Sequence, residues 1–229
     1  MLSKIKKFNE NKAWQELSET QKSYTVRVLH FFHYRRNRIA ASWKQEEVLT
    51  WELFFALRIL PRPLFLKQLL IQLGKLAPSV DKLTKALIQN LADIELEYSP
   101  SLQLKGNLRN SCSDIGINGP DGITLWIEAK TAFIRPMDMG QQLRNQQAAL
   151  KKIYGPTTAQ VVALIPSMQP IASWPTIRWI DVAEILSRGR SDLQKDDVPK
   201  DLVPGFFIIA EELENRIRGH QNRIILEKA

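Results

Sequence analysis

The chain has 229 residues, 44% of them hydrophobic and 24% charged, with a formal net charge of +8; this supports one good apolar core with an appended element and excludes an intrinsically disordered chain. Its longest apolar runs are broken well before the roughly 18 residues a membrane helix needs, and the basic opening "MLSKIKKFNENK" leads into no apolar stretch, so a soluble, unexported, cytoplasmic protein with no membrane partner is expected. One cysteine, Cys112, and three histidines exclude an internal disulfide and a zinc cluster of ordinary spacing.

The charge is uneven along the chain, with 16 basic against 7 acidic residues in 1–90 and 16 against 17 in 91–229. From Ser18 to about Ala41, Val26, Leu29, Phe31, Phe32 and Ile39 recur at three- and four-residue steps, which predicts a helix. Within it, "VRVLHFFHYRRNR" interleaves cations with aromatics, a composition that could lie along a phosphate backbone. Arg27, Arg35, Arg36 and Arg38 are therefore the candidate nucleic-acid contacts. His30 and His33 sit beside Phe31 and Phe32 with no carboxylate motif adjacent, and are read as structural or DNA-contacting.

"QEEVLTWELFFALRIL" predicts a second helix, stopped by "PRP"; "LFLKQLLIQLGKL" a third, ending around Gly74 and Pro78; and "SVDKLTKALIQNLA" a fourth with Ser79 as its cap. The period then changes from helical to alternating. "DIELEYS" reads as a strand with Glu95 and Glu97 on its solvent face, and "SDIGI" and "ITLWIEA" flank the turn "NGPDG" as a hairpin. Asp121 is a turn residue. There follow the helix "MGQQLRNQQAALKKIYG", the strands "AQVVALIP" and "IRWID", the short helix "VAEILSRG", and a terminal helix within "GFFIIAEELENRIRGHQNRIILEKA".

The hairpin carries three charges that a buried strand should not have: Asp114, Glu128 and Lys130. Side chains alternate faces along a strand, so Glu128 and Lys130 point the same way. With a five-residue loop from Asn118 to Gly122, Ile117 faces Ile123, and Asp114 lies opposite Trp126 and diagonal to Glu128 on that same face. Two carboxylates held together repel unless a divalent cation neutralises them, and an oxygen-only site with few protein ligands suits Mg²⁺. Asp114 and Glu128 are the candidate metal ligands, with Lys130 placed to orient water or to stabilise transition-state charge on a phosphoryl group.

An Asp, a hairpin, Glu-x-Lys on the next strand, then a helix and another strand: this order, here "SD" and "EAK", resembles the PD-(D/E)XK nuclease superfamily over about residues 46–187. Ser113 stands where that family has a proline. "EEVLTWELFFAL" resembles its first core helix, with Glu46 at the acidic position and Glu52, then Glu47, as alternatives; "QQLRNQQAAL" resembles its glutamine helix, with Gln142 at the matching position. Gln146 stands where an aromatic is often found.

The resemblance implies an α/β fold with a restriction-endonuclease-like mixed central sheet flanked by helices and an N-terminal helical extension. The expected divisions are a basic helical segment at 1–45, a nuclease core at 46–190, and a C-terminal linker and helix packed on it at 191–229. It also implies Mg²⁺ or Mn²⁺ as cofactor, with Glu46, Asp114, Glu128, Lys130 and Gln142 as catalytic residues and DNA as substrate, RNA not being distinguished. A homodimer is the expected form if both strands are cut. The alternative is a non-catalytic nucleic-acid-binding or assembly module that retains this fold.

Overall fold

A computed structural model describes residues 45–102, 111–131, 136–166, 171, 174–194, 198–200 and 202–226. The predicted helix over 18–41, with Arg27, Arg35, Arg36 and Arg38, lies outside the described residues.

Among the described residues three helices come first: α1 (Gln45–Ile59), α2 (Leu66–Gly74) and α3 (Pro78–Gln89). In α2 the buried residues are Leu66, Leu69, Leu70 and Leu73, the i, i+3, i+4, i+7 stripe of a helix laid on a core. The "PRP" segment ends α1, and its Arg62 guanidinium donates to the carbonyls of Leu91 (2.8 Å) and Ala92 (2.7 Å), fastening the break to the chain that follows α3. Ser79 is not the cap of α3. Pro78 occupies the first turn and Ala77 the capping position without a side-chain bond, because proline's fixed φ and missing N–H suit the start of a helix.

The main sheet takes the order β1-β4-β5-β6-β7 from β1 (Glu95–Tyr98), β4 (Ile115–Asn118), β5 (Thr124–Ala129), β6 (Ala159–Ile165) and β7 (Thr176–Arg178). The first two pairings are antiparallel and the last two parallel. The short strands β2 (Ser101–Leu102) and β3 (Ser111–Cys112) form a separate antiparallel ribbon. Helix α4 (Pro136–Tyr154) makes the crossover that parallel neighbours β5 and β6 require.

Helices cover both faces of the sheet. On one face Leu125, Ile127, Ala129, Val162 and Leu164 share a core with α1, α2, α3, α5 (Trp179–Asp192) and α6 (Val203–Leu226). On the other, Trp126, Val161, Ala163 and Ile165 pack on Met139, Leu143 and Leu150 of α4. Burial on both sides explains why β5 is apolar almost throughout. It also isolates Glu128 as a charge in a dry strand. The fold is α/β, a five-stranded mixed sheet flanked by helices. Among the described residues no helix is long and apolar enough to cross a membrane.

Two further expectations are corrected. The hairpin register pairs Ile117 with Leu125, not Ile123, and Asn118 with Thr124. The Thr124 hydroxyl donates to the Asn118 amide oxygen (2.7 Å), which keeps Asn118 in the ladder. The loop is therefore Gly119 to Ile123, closed by the Gly119 N–H on the Ile123 carbonyl (2.8 Å), with Asp121 and Gly122 in left-handed conformation. The slip of two residues preserves every side chain's face. The segment "IRWID" is also not all strand: β7 ends at Arg178 and α5 begins at Trp179. Asp181 in the first turn accepts the Arg178 backbone N–H (3.0 Å) and its Nε (2.9 Å), and this side-chain bonding raises the guanidinium pKa further despite some burial.

Gly189 shows how closely α5 meets the chain entering α2: a Cβ there would lie 2.6 Å from Phe65 Cε1 and 2.9 Å from the Leu64 carbonyl oxygen. Gly189→Ala is expected to destabilise the protein by about 1–3 kcal/mol through overpacking, seen as a lower urea midpoint with an unchanged slope.

Candidate active site

The site forms where the β4–β5 ladder ends. Beyond Ile115, side chains join the backbone pairing: the Asp114 N–H still donates to the Ile127 carbonyl (3.2 Å), and the Ser113 hydroxyl donates to that same oxygen (2.8 Å). The Asp114 carboxylate then acts as a ladder acceptor, taking the Ala129 N–H on Oδ2 at 2.7 Å. Ala129 lies between Glu128 and Lys130 in the chain, so Asp114, half-buried, is anchored against the segment that carries both.

Glu128 is 3% exposed and turns toward α4. A buried carboxylate is tolerable only with donors around it, and three are present among the described residues. Lys130 Nζ (2.7 Å) and Gln142 Nε2 (2.6 Å) donate to Oε1, and Gln146 Nε2 (2.6 Å) donates to Oε2. Lys130 Nζ also reaches the Ala129 carbonyl (3.0 Å).

Gln142 and Gln146 are one helical turn apart, on the side of α4 that also presents Met139, Leu143 and Leu150 to the sheet. The neighbouring Gln147 keys the helix to β6, donating to the Ala159 carbonyl (3.0 Å) and accepting the Val161 N–H (2.8 Å). The helix rotation that aims two amides at Glu128 is therefore set by both apolar and polar contacts.

After Ala129 the chain is held at successive peptide groups. The Lys130 N–H donates to the Leu164 carbonyl (2.8 Å), Trp179 Nε1–H to the Lys130 carbonyl (2.8 Å), and His220 Nε2 lies 2.8 Å from the Thr131 carbonyl. A carbonyl oxygen only accepts, so His220 donates from Nε2.

The structure thus brings Asp114, Glu128, Lys130 and Gln142 together. Glu46 and Glu47 fall in the first turn of α1, but their side chains lie outside the described residues. Glu52, the second-ranked alternative, is 3% exposed and forms an ion pair with Arg216 of α6. Gln146 was legible only as a departure from the family pattern, although its spacing of four from Gln142 was a usable signal. His220, 89 residues from its partner, carried no local signal.

The donor set suits a hard cation. Mg²⁺ commonly takes one or two carboxylates and keeps several waters, and Asp114, just before β4, and Glu128, in β5, would offer it oxygen ligands. A carboxylate has about four lone-pair directions; with three donors aimed at Glu128, one remains and a second is released if Lys130 turns away. Among the described residues no group of three or more His, Cys, Asp or Glu side chains is arranged to hold a metal. No family model, curated protein or solved structure matches the chain, and the chemistry of the site rests on its own residues.

Replacing Gln146 by methionine keeps its length and removes the donor to Glu128 Oε2. Gln146→Met is expected to cost about 1–3 kcal/mol, the penalty for depriving a buried acceptor of its partner, measured by urea denaturation in metal-free buffer; an unchanged midpoint would show that this bond contributes nothing.

Proposed function

We propose that the protein is a metal-dependent deoxyribonuclease in which Asp114 and Glu128 hold Mg²⁺ or Mn²⁺, Lys130 acts on the scissile phosphate or the attacking water, and Gln142 orients Glu128. The observation that carries this reading is the convergence on one strand end of two carboxylates, an ammonium and an amide, drawn from β5 and the residue after it, from α4 and from the residue before β4. Such a charge cluster adds little net stability over an apolar core, so its presence is better accounted for by chemistry than by folding.

The order of elements supports the same reading. Helix α1, the β4–β5 hairpin, α4 and β6 come in the chain in the order of the segments that resemble the PD-(D/E)XK superfamily and its restriction-endonuclease-like core. The basic excess in 1–90 suits a polyanionic substrate.

In the hydrolysis, the oxygen of a water forms a bond to phosphorus as a phosphodiester P–O bond breaks, leaving a phosphate monoester and a free hydroxyl end. A bound divalent cation would supply Lewis-acid polarisation of the phosphoryl group. Lys130, released from Glu128, would place its ammonium against charge developing on the phosphoryl oxygens or orient the incoming water. Gln142 and Gln146 would keep the Glu128 carboxylate fixed and hydrogen-bonded when Lys130 leaves it.

A second reading is favoured by one observation: Glu128 is almost sealed and has donors on both oxygens. A sealed ion-pair cluster would make this a nucleic-acid-binding or assembly module without cleavage.

The two separate on supercoiled plasmid and on linear single- and double-stranded DNA incubated with Mg²⁺ or Mn²⁺. The nuclease reading expects metal-dependent cutting that falls by about 10²-fold or more in Lys130→Ala and in Asp114→Ala, with salt-sensitive DNA binding retained in both. Binding without cutting on every substrate would instead establish the module.

A further inference from the structure

Lys130 lies one residue beyond β5, where a strand ordinarily begins to lose its direction. Both peptide groups that flank its Cα are nevertheless fixed. The group before it is held through the Lys130 N–H on Leu164 of β6, and the group after it through the Lys130 carbonyl on the Trp179 indole of α5. The next carbonyl, that of buried Thr131, is held by His220 of α6. Three elements distant in sequence therefore converge on two residues of backbone.

Helix α6 is itself tied down on two sides. Arg216 pairs with Glu52 of α1, and Arg190 of α5 bridges Glu211 (2.8 Å) and Glu214 (3.2 Å), while Leu213 and Ile217 enter the main core. His220 follows Ile217 by just under one helical turn, at the end of this anchored stretch and at the margin of the core rather than within it, being half-buried.

We infer that Trp179 and His220 are positioning residues for Lys130, fixing through main-chain carbonyls the direction in which its side chain leaves the backbone, so that the C-terminal helix is a working part of the site. The side chain of a lysine follows its Cα–Cβ bond, which the two flanking peptide planes determine. Freeing the Lys130 carbonyl lets the plane after Lys130 rotate directly; freeing the Thr131 carbonyl releases the plane after Thr131, and with it the Thr131 backbone on which the Lys130–Thr131 plane ends. The catalytic consequence rests on the nuclease reading; the positional consequence does not.

The test uses the full chain with His220→Ala, His220→Gln, whose amide can donate from a position near Nε2, and Trp179→Phe, which keeps a ring but removes the N–H. Two quantities are read: amide hydrogen exchange at Lys130, and the single-turnover rate of DNA cleavage with Mg²⁺ alongside DNA affinity. His220→Ala and Trp179→Phe are expected to speed Lys130 exchange by about tenfold and to slow single-turnover cleavage by roughly 10–100-fold, with DNA affinity unchanged. His220→Gln is expected to restore both quantities. Leu213→Ala serves as the control for general loosening of α6. Equal effects from His220→Ala and Leu213→Ala at equal loss of stability, or no rescue by glutamine, would overturn the inference. Absence of wild-type cleavage would overturn the nuclease reading alone, and Lys130 exchange would then decide the positional claim.

Discussion

A single buried carboxylate constrains much of this architecture. Glu128 sits in a strand covered on both faces, where an ionised group without donors is untenable. Its satisfaction requires Lys130 two residues on and two amides from a helix, and the helix must be rotated to bring both within reach. That requirement and the apolar stripe of α4 point the same way: Met139, Leu143 and Leu150 enter the second core from the side that carries Gln142 and Gln146. Local and global preferences agree, as they should in a sequence that specifies one fold.

The sheet divides labour between its faces. The larger core, built with α1, α2, α3, α5 and α6, covers one face, and the Glu128 cluster lies on the α4 side at the strand ends. Asp114 marks the boundary. It is the point at which the β4–β5 ladder passes from main-chain to side-chain acceptors, and its carboxylate has a structural partner, the Ala129 N–H, independent of any ligand. One oxygen of Asp114 is thus placed by the fold itself. Preorganisation of this kind costs nothing further when a substrate arrives.

How much of this could be read in the residues depends on the range of the interaction involved. Period-two alternation located Asp114, Glu128 and Lys130 on one face, and that conclusion survived a register different from the expected one, because a slip of two residues leaves face unchanged. The slip itself was not legible: it depends on the Thr124 hydroxyl meeting the Asn118 amide, which keeps a turn-prone asparagine in the strand. "IRWID" alternates like a strand, yet Asp181, three residues after Arg178, is a helix-start signal that outweighs the alternation. Ser79 looked like a cap, but Pro78 beside it was the stronger signal. The pairing of Glu52 with Arg216 spans 164 residues, and no local pattern announces it.

The parallel pairing of β5 with β6 has a consequence for the order in which the protein is made. The strand bearing Glu128, the helix bearing its amide donors and the next strand form one continuous crossover unit, so the carboxylate and its immediate partners emerge from the ribosome nearly together. The backbone of Lys130 and Thr131 waits longer, for Trp179 and then for His220. A nascent chain can therefore assemble the charged cluster well before the segment carrying its lysine is held in place. The main-chain bonds at Lys130 and Thr131 are completed only when Trp179 and His220 are in place, a delay built into the topology.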